Sequence, residues 1–555
     1  MIATMTTTPG SRLTWEPPGP GSWTLLADHY ARPVTAAYEA FLPVWESATT
    51  AYMREAGVPI REARMVLVNG LPYMAFETEG GAGKPPPAWV MKLAIRLLPS
   101  LRRIEAKLRN VLEERPWNEG VRRWYEEDRP AAIERMTALT RVDPDNLTDE
   151  DLARHLEACY REMLDSADQH LTLHGHDMLP PGLFAVQMVD WGFTAAHAFG
   201  LLAGSSPAST GMSDELQALR VAVNGREASS VEELRALGPE VGNALDAFLE
   251  RHGWRILDGY DIDGSCLIEV PSLVVALATG PVALHLNEGN QAAIAEARGR
   301  VPASERGEFD RLLQEAQAAY GLRDDNSGIL TSWPAGLLRR AMLACGDRLA
   351  ARGKLRDARL VIEATPGAIT AALRGQGELD SDALVERAAY RRSLRSADAP
   401  RRLGPPEPPL PENLPGALGL VMRAIAVLGL GETASKDALC GMGIGSTAYE
   451  GRARLVIGAG DGLDTFEAGD VLVAPMTSPS YNVLLAMAGA VVTEEGDALS
   501  HAAIMARELA LPAVIGAPRA TAEIQDGDYV RVDPVSGTVR VLNRAGEPAD
   551  ITEGP

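Results

Sequence analysis

The stretch Thr493-Glu494-Glu495-Gly496-Asp497-Ala498-Leu499-Ser500-His501-Ala502-Ala503-Ile504-Met505-Ala506-Arg507-Glu508-Leu509, followed by Ala510-Leu511-Pro512-Ala513-Val514, decides how the C-terminal part of this chain is read. A short apolar run from Ala488 to Val492 leads into a loop holding Gly496, and a series of strong helix formers then runs from Ser500 until Pro512 stops it. The order is strand, loop, helix. Ser500 is a good N-cap, which puts His501 at the first helical position. There the unpaired backbone N–H groups and the positive end of the helix dipole favour an anion, so an imidazole at that position can carry a phosphoryl group.

Working outward, Gly451-Arg452-Ala453-Arg454-Leu455-Val456-Ile457 reads as a strand, and Gly469-Asp470 turns the chain into the strand Val471-Leu472-Val473-Ala474. Asp526-Gly527 and Ser536-Gly537 bracket a C-terminal hairpin. Gly429-Leu430-Gly431 and Gly441-Met442-Gly443 superficially suggest dinucleotide loops, but neither lies inside a strand–loop–helix unit.

Together these segments resemble the swivelling phosphohistidine domain of the phosphoenolpyruvate-utilising enzymes. That family shares the pattern Thr-acidic-x-Gly-Gly-x-x-Ser-His-Ala-Ala-Ile-x-Ala-Arg-Glu. Thr493, Gly496, Ser500, His501, Ala502, Ala503, Ile504, Ala506, Arg507 and Glu508 match it. The one departure in the loop is Asp497 at the second glycine, whose carboxylate would repel a phosphoryl group and whose Cβ restricts the backbone. The resemblance implies His501 as the phosphoryl carrier, with Ser500, Thr493 and Gly496 binding the phosphoryl oxygens. Arg507, about 240° round the helix from His501, is expected to brace the loop.

The preceding text is mainly helical. Asn69-Gly70 between two apolar runs signals a hairpin, and Thr148-Asp149-Glu150-Asp151 opens a helix with a good cap and an acidic first turn. Gly80 to Pro87 lacks the Walker spacing and reads as a linker. His170 and His174 stand one helical turn apart without a convincing third ligand, so no metal site is expected. Met178, Phe184, Met188, Trp191 and Phe193 read as core.

The opening Trp23 to Thr35, the segment Gly253-Trp254-Arg255 and Glu269-Val270-Pro271 resemble the acceptor-binding region of this enzyme group in its rifampin phosphotransferase branch. Arg255 and Glu269 are the implied acceptor-site charges, with a structural ion pair as the alternative, and His176 is a further acceptor-pocket candidate.

The expected fold is multidomain α+β: a flexible lead-in over 1–20, a mainly helical acceptor region over 21–400, a Pro-rich linker over 401–416, the swivelling domain over 417–545 and a tail over 546–555. Six prolines from Pro405 to Pro415 define that linker. No glycine-rich loop with a suitably placed lysine is apparent. The layout therefore implies a donor on a separate ATP-grasp protein, as in phenylphosphate synthase, with ATP and Mg2+ bound there and no cofactor held permanently here.

Bulk properties restrict the partners. With 53 basic and 75 acidic side chains the formal charge is −22, which disfavours nucleic acid or an anionic membrane. At 555 residues the chain holds several cores. Four scattered cysteines and no long apolar run or leader pattern fit a cytoplasmic protein. The function expected is a phosphotransferase component that passes a phosphoryl group from His501 to a small hydroxylated organic acceptor. The alternative is a catalytically degenerate member that binds a ligand or partner.

Overall fold

The computed structural model describes residues 13–27, 29–56, 58, 60–78, 88–205, 214–257, 259–280, 288–406, 414–428, 439–456, 465–477 and 481–546. The glycine- and proline-rich run 80–87, the loop 206–213, residues 407–413 of the Pro-rich stretch and the glycine run 429–434 lie outside them. Among the described residues no helix is long and apolar enough to cross a membrane, and Cys159, Cys266, Cys345 and Cys440 are free thiols.

The chain forms two compact units, and neither is a continuous segment. One comprises Met1–Leu183, Leu249–Cys266 and Asp325–Ala424; the other comprises Phe184–Phe248, Leu267–Asp324 and Ile425–Pro555. The division after residue 400 therefore falls inside the helix Gly416–Val427 rather than in the prolines before it. Within 401–416, Arg402–Leu403 forms a short edge strand, and the carboxylate of Glu105 accepts the first backbone N–H groups of the following helix, from Ala417 at 2.8 Å and Leu418 at 3.1 Å. A side chain distant in sequence thus does the work of an N-cap.

The first unit is built on helices and one small antiparallel sheet, ordered β2-β3-β1-β4, with β1 Trp23–Leu25, β2 Ile60–Val68, β3 Leu71–Thr78 and β4 Arg402–Leu403. The β2–β3 turn is the expected Asn69-Gly70, with φ of 52° and 78°, the doubly left-handed geometry that a two-residue hairpin requires. Thr148 caps the long helix Asp149–Asp177 by accepting the Asp151 N–H. In the interior Arg391, 4% exposed, donates to Glu363 at 2.9 Å, Asp263 at 2.6 Å and the Pro33 carbonyl at 2.7 Å. Asp261 beside it accepts both the backbone N–H and the hydroxyl of Thr35, each at 2.6 Å. Burial, reinforced by Asp263, holds the Asp261 carboxyl above the ordinary carboxylate range, against the opposing pull of Arg391 and Thr35.

The second unit contains a helical segment and a seven-stranded sheet ordered β11-β10-β6-β7-β8-β9-β5. Its strands are β5 Met442–Ile444, β6 Tyr449–Leu455, β7 Val471–Ala474, β8 Ala490–Thr493, β9 Ala513–Ile515, β10 Tyr529–Asp533 and β11 Thr538–Asn543. β6 to β9 run parallel, and both margins are antiparallel. Ser536-Gly537 lies in the turn between β10 and β11, so it closes the C-terminal hairpin rather than ending it.

Strands β7, β8 and β9 are buried on both faces, which explains their continuous apolar text. Leu472, Ala474, Val491, Ala513 and Ile515 face Tyr481, Leu484 and Leu485 and the alanines and Met505 of the His501 helix. Val471, Val473, Ala490, Val492 and Val514 face the opposite way, onto Ala520, Ile524, Val530 and Val532. This period-two alternation aims the ends of β7 and β8 at one loop cluster, where the histidine sits.

Candidate active site

Two neighbouring parallel strands supply the site. β8 ends at Thr493, and its loop delivers Ser500 to the start of the helix His501–Glu508. β7 ends at Ala474, and the chain beyond it brings Thr477 and then Asn482, the first residue of the helix Asn482–Met487. Loops that follow adjacent parallel strands meet at the same sheet edge, the usual place for chemistry in such folds.

Ser500 is the N-cap, as its sequence position predicts: its Oγ accepts the Ala503 N–H at 3.4 Å and donates to the Asp497 carbonyl at 2.9 Å. Gly496 has φ 132°, and a Cβ there would lie 2.7 Å from both Ile515 Cγ2 and Ser500 Oγ, so no side chain fits. Thr493 is fully buried and its hydroxyl donates to the Glu495 carbonyl at 2.8 Å. The hydroxyls of Thr493 and Ser500 are therefore both engaged in shaping the loop. Asp497 turns its carboxylate into the same loop, where Oδ1 accepts the Leu499 N–H at 2.8 Å. Among the described residues the non-glycine positive-φ positions are Asn69, Arg115, Asn224, Ala510 and Arg519, so Asp497 takes up the second-glycine position without a left-handed backbone.

His501 is half-buried, and each ring nitrogen meets a polar side chain. Nδ1 lies 2.8 Å from Thr477 Oγ1, and Nε2 lies 3.1 Å from Asn482 Oδ1. Burial pulls its pKa from 6.5 down to about 3, so the ring is neutral at physiological pH. Its place at a helix N-terminus opposes a positive charge in the same direction. A neutral imidazole with a lone pair is the nucleophilic form.

The last turn of this helix anchors it. Arg507 donates to the Ala498 carbonyl at 2.6 Å and stacks over Phe199 at 5.1 Å, so it braces the loop as its helical angle predicts. Glu508, 1% exposed, accepts the Gly204 N–H at 2.7 Å. Thr477 and Asn482 carry no signal in the loop pattern itself. Their place just beyond the C-terminal end of β7 is the clue, and it becomes legible once β7 and β8 are known to be neighbours.

The remaining sequence candidates are not part of this loop. Arg255 lies in the first unit, 5.4 Å over the Trp333 ring. Glu269 lies in the second unit, at the end of the short turn Leu267–Glu269. His176 packs against Gly120, where an added Cβ would come within 2.4 Å of the ring, and burial lowers its pKa. His174 Nδ1 donates to the carboxylate of buried Asp177 at 3.0 Å, and among the described residues no group of three His, Cys, Asp or Glu side chains is arranged to hold a metal ion.

Comparison with protein-family models places this geometry. The model of the PEP-utilising enzyme mobile domain matches residues 466–537, which span β7 through the turn after β10 and include His501. The chain carries a mobile domain of the PEP-utilising enzymes. Ahead of the mobile domain, the model of the rifampicin phosphotransferase fourth domain matches residues 186–324, which include Arg255 and Glu269 but not His176.

Among curated proteins, a rifampicin phosphotransferase of a Streptomyces species is 29% identical over 55% of this chain and 35% of its own length. An uncharacterized phosphotransferase, YvkC of Bacillus subtilis, is 28% identical over 54% of this chain and 36% of its own. A phosphoenolpyruvate synthase of Neisseria meningitidis is 43% identical over 18% of this chain and 13% of its own. The chain thus spans about a third of the length of the longer-matching relatives.

Proposed function

We infer that this chain is a phosphotransferase component in which His501 carries a phosphoryl group and passes it to a hydroxyl of a small organic acceptor. The observation that carries the reading is a neutral imidazole at the first position of a helix, in a mobile-domain segment, with both nitrogens held by polar side chains. In the charging step a ring nitrogen attacks a phosphorus of ATP. An N–P bond forms as the P–O bond to the departing nucleotide breaks, and the helix N-terminus offers N–H groups to the phosphoryl oxygens. In the second step the acceptor oxygen attacks phosphorus and the N–P bond breaks, returning neutral His501.

An ATP-grasp protein acting as a separate chain is the proposed donor, binding ATP and Mg2+. The relatives named rifampicin phosphotransferase make rifampicin the first acceptor to try. Arg255, Glu269 and His176 are the candidate acceptor residues, each to be varied on its own.

The test is incubation with ATP labelled on its phosphates, alone and with an ATP-grasp protein, followed by a chase with rifampicin. Acid-labile label that depends on the donor and vanishes in His501→Ala is the expected result. Label in neither condition overturns the reading and leaves the chain a ligand- or partner-binding member of the family.

A further inference from the structure

A neutral imidazole has one N–H and one lone pair, and in this structure both are taken. Asn482 presents its Oδ1 to Nε2 at 3.1 Å, and an amide oxygen only accepts, so Nε2 is the protonated nitrogen and the Nδ1 lone pair accepts the Thr477 hydroxyl at 2.8 Å. Thr477 is 6% exposed whereas Asn482 is half-buried, so the partner on Nε2 is the more accessible of the two. The tautomer that fits Asn482 is therefore the one in which Nε2, the nitrogen with the more accessible partner, has no lone pair to offer.

The geometry points to Asn482 as a gate on His501: a positioning residue whose side-chain amide covers Nε2 in the resting chain and must turn before that nitrogen reacts. It rests on the reading of His501 as the phosphoryl carrier and adds a residue outside the loop pattern. The change is a simple one. The proton moves from Nε2 to Nδ1, and the Thr477 hydroxyl rotates from donor to acceptor. Rotation of the Asn482 amide by half a turn then replaces Oδ1 with its NH2 group, which donates first to the Nε2 lone pair and then to an oxygen of the arriving phosphoryl group. Thr477 adapts freely because a hydroxyl both donates and accepts; Asn482 has to rotate because its two ends differ.

The test needs neither the donor nor the acceptor. Diethyl pyrocarbonate acylates neutral imidazole, and peptide mass mapping of the full chain reports the rate at His501. Asn482→Ala should raise that rate about five-fold, the factor that corresponds to one net hydrogen bond of about 1 kcal/mol. The near-isosteric Asn482→Asp, which keeps the acceptor and cannot offer an N–H, should lower it. A merely structural asparagine would shift both variants the same way, or neither, and either result overturns the gate. Nitrogen-15 NMR of the wild-type chain adds a readout free of mutation: Nε2 protonated at rest is expected, and a resting Nδ1–H form overturns the proposal. If acylation follows this pattern while His501 takes no label from ATP, the gate stands and the phosphotransferase reading falls; label with an unaltered acylation rate in Asn482→Ala gives the reverse.

Discussion

The hydroxyl of Thr477 lies 2.8 Å from Nδ1 of His501, although the two residues sit on loops that follow different strands, 24 positions apart. That contact fixes the plane of the ring at the helix N-terminus. Replacing Thr477 with Val keeps the shape and removes the hydroxyl, leaving a half-buried nitrogen unpaired. Labelling of His501 from ATP and an ATP-grasp protein should slow about ten-fold, equivalent to roughly 1.4 kcal/mol, and Thr477→Ser should restore most of it.

Protonation of His501 is suppressed in the folded chain, with a pKa of about 3 against the ordinary 6.5. Between those values the unfolded chain binds a proton that the folded chain does not, so stability from this group is complete above about pH 6.5 and is lost as pH falls toward 3. Between pH 7 and pH 5 the loss amounts to about 1 to 2 kcal/mol. His501→Gln should remove that part of the pH dependence in urea titrations at the two pH values. The His501 ring Cε1–H resonance of the native chain should show no titration between pH 5 and pH 8.

Gly496 combines φ 132° with two contacts that leave no room for a Cβ. Gly496→Ala should cost about 2 to 4 kcal/mol in thermal or denaturant unfolding, from the strained backbone and the displaced Ser500 cap. An unchanged melting temperature would contradict this geometry.

Glu508 is buried with the Gly204 N–H as its partner at 2.7 Å. Glu508→Ala should destabilise the second unit by about 1 to 3 kcal/mol because the half-buried Gly204 N–H loses this acceptor. Glu508→Gln keeps an accepting oxygen and should lose much less, a difference that denaturant titration resolves.

Arg391 is paired with the buried carboxylates of Asp261 and Glu363 and the half-buried one of Asp263. Arg391→Met should cost about 3 to 5 kcal/mol in urea unfolding, since it strands negative charge in the interior. Adding Asp261→Asn to that variant should recover part of the loss.

Much of the loop was legible before any coordinates. Ser500 as cap, His501 at the first helical position, Gly496 in the turn and Arg507 as a brace all follow from local rules: capping preference, left-handed backbone and helical angle. β7 was readable to the residue, and the β2–β3 turn from Asn69-Gly70, because a continuous apolar run and a doubly left-handed turn are local signals. The two-unit division was not, because the chain leaves the second unit at Leu249–Cys266 and returns to it, and no composition shift marks either crossing.

By itself the sequence determined that a helix begins at Ser500 with an imidazole at its positive end, since capping and turn chemistry act over a handful of neighbouring residues. Only the tertiary structure decided which nitrogen of that imidazole is held and by what. Thr477 and Asn482 reach His501 because β7 and β8 pair in parallel, and that pairing is set by burial across the whole sheet rather than by anything written near the histidine. The depressed pKa has the same origin, because desolvation depends on atoms drawn in from distant parts of the chain.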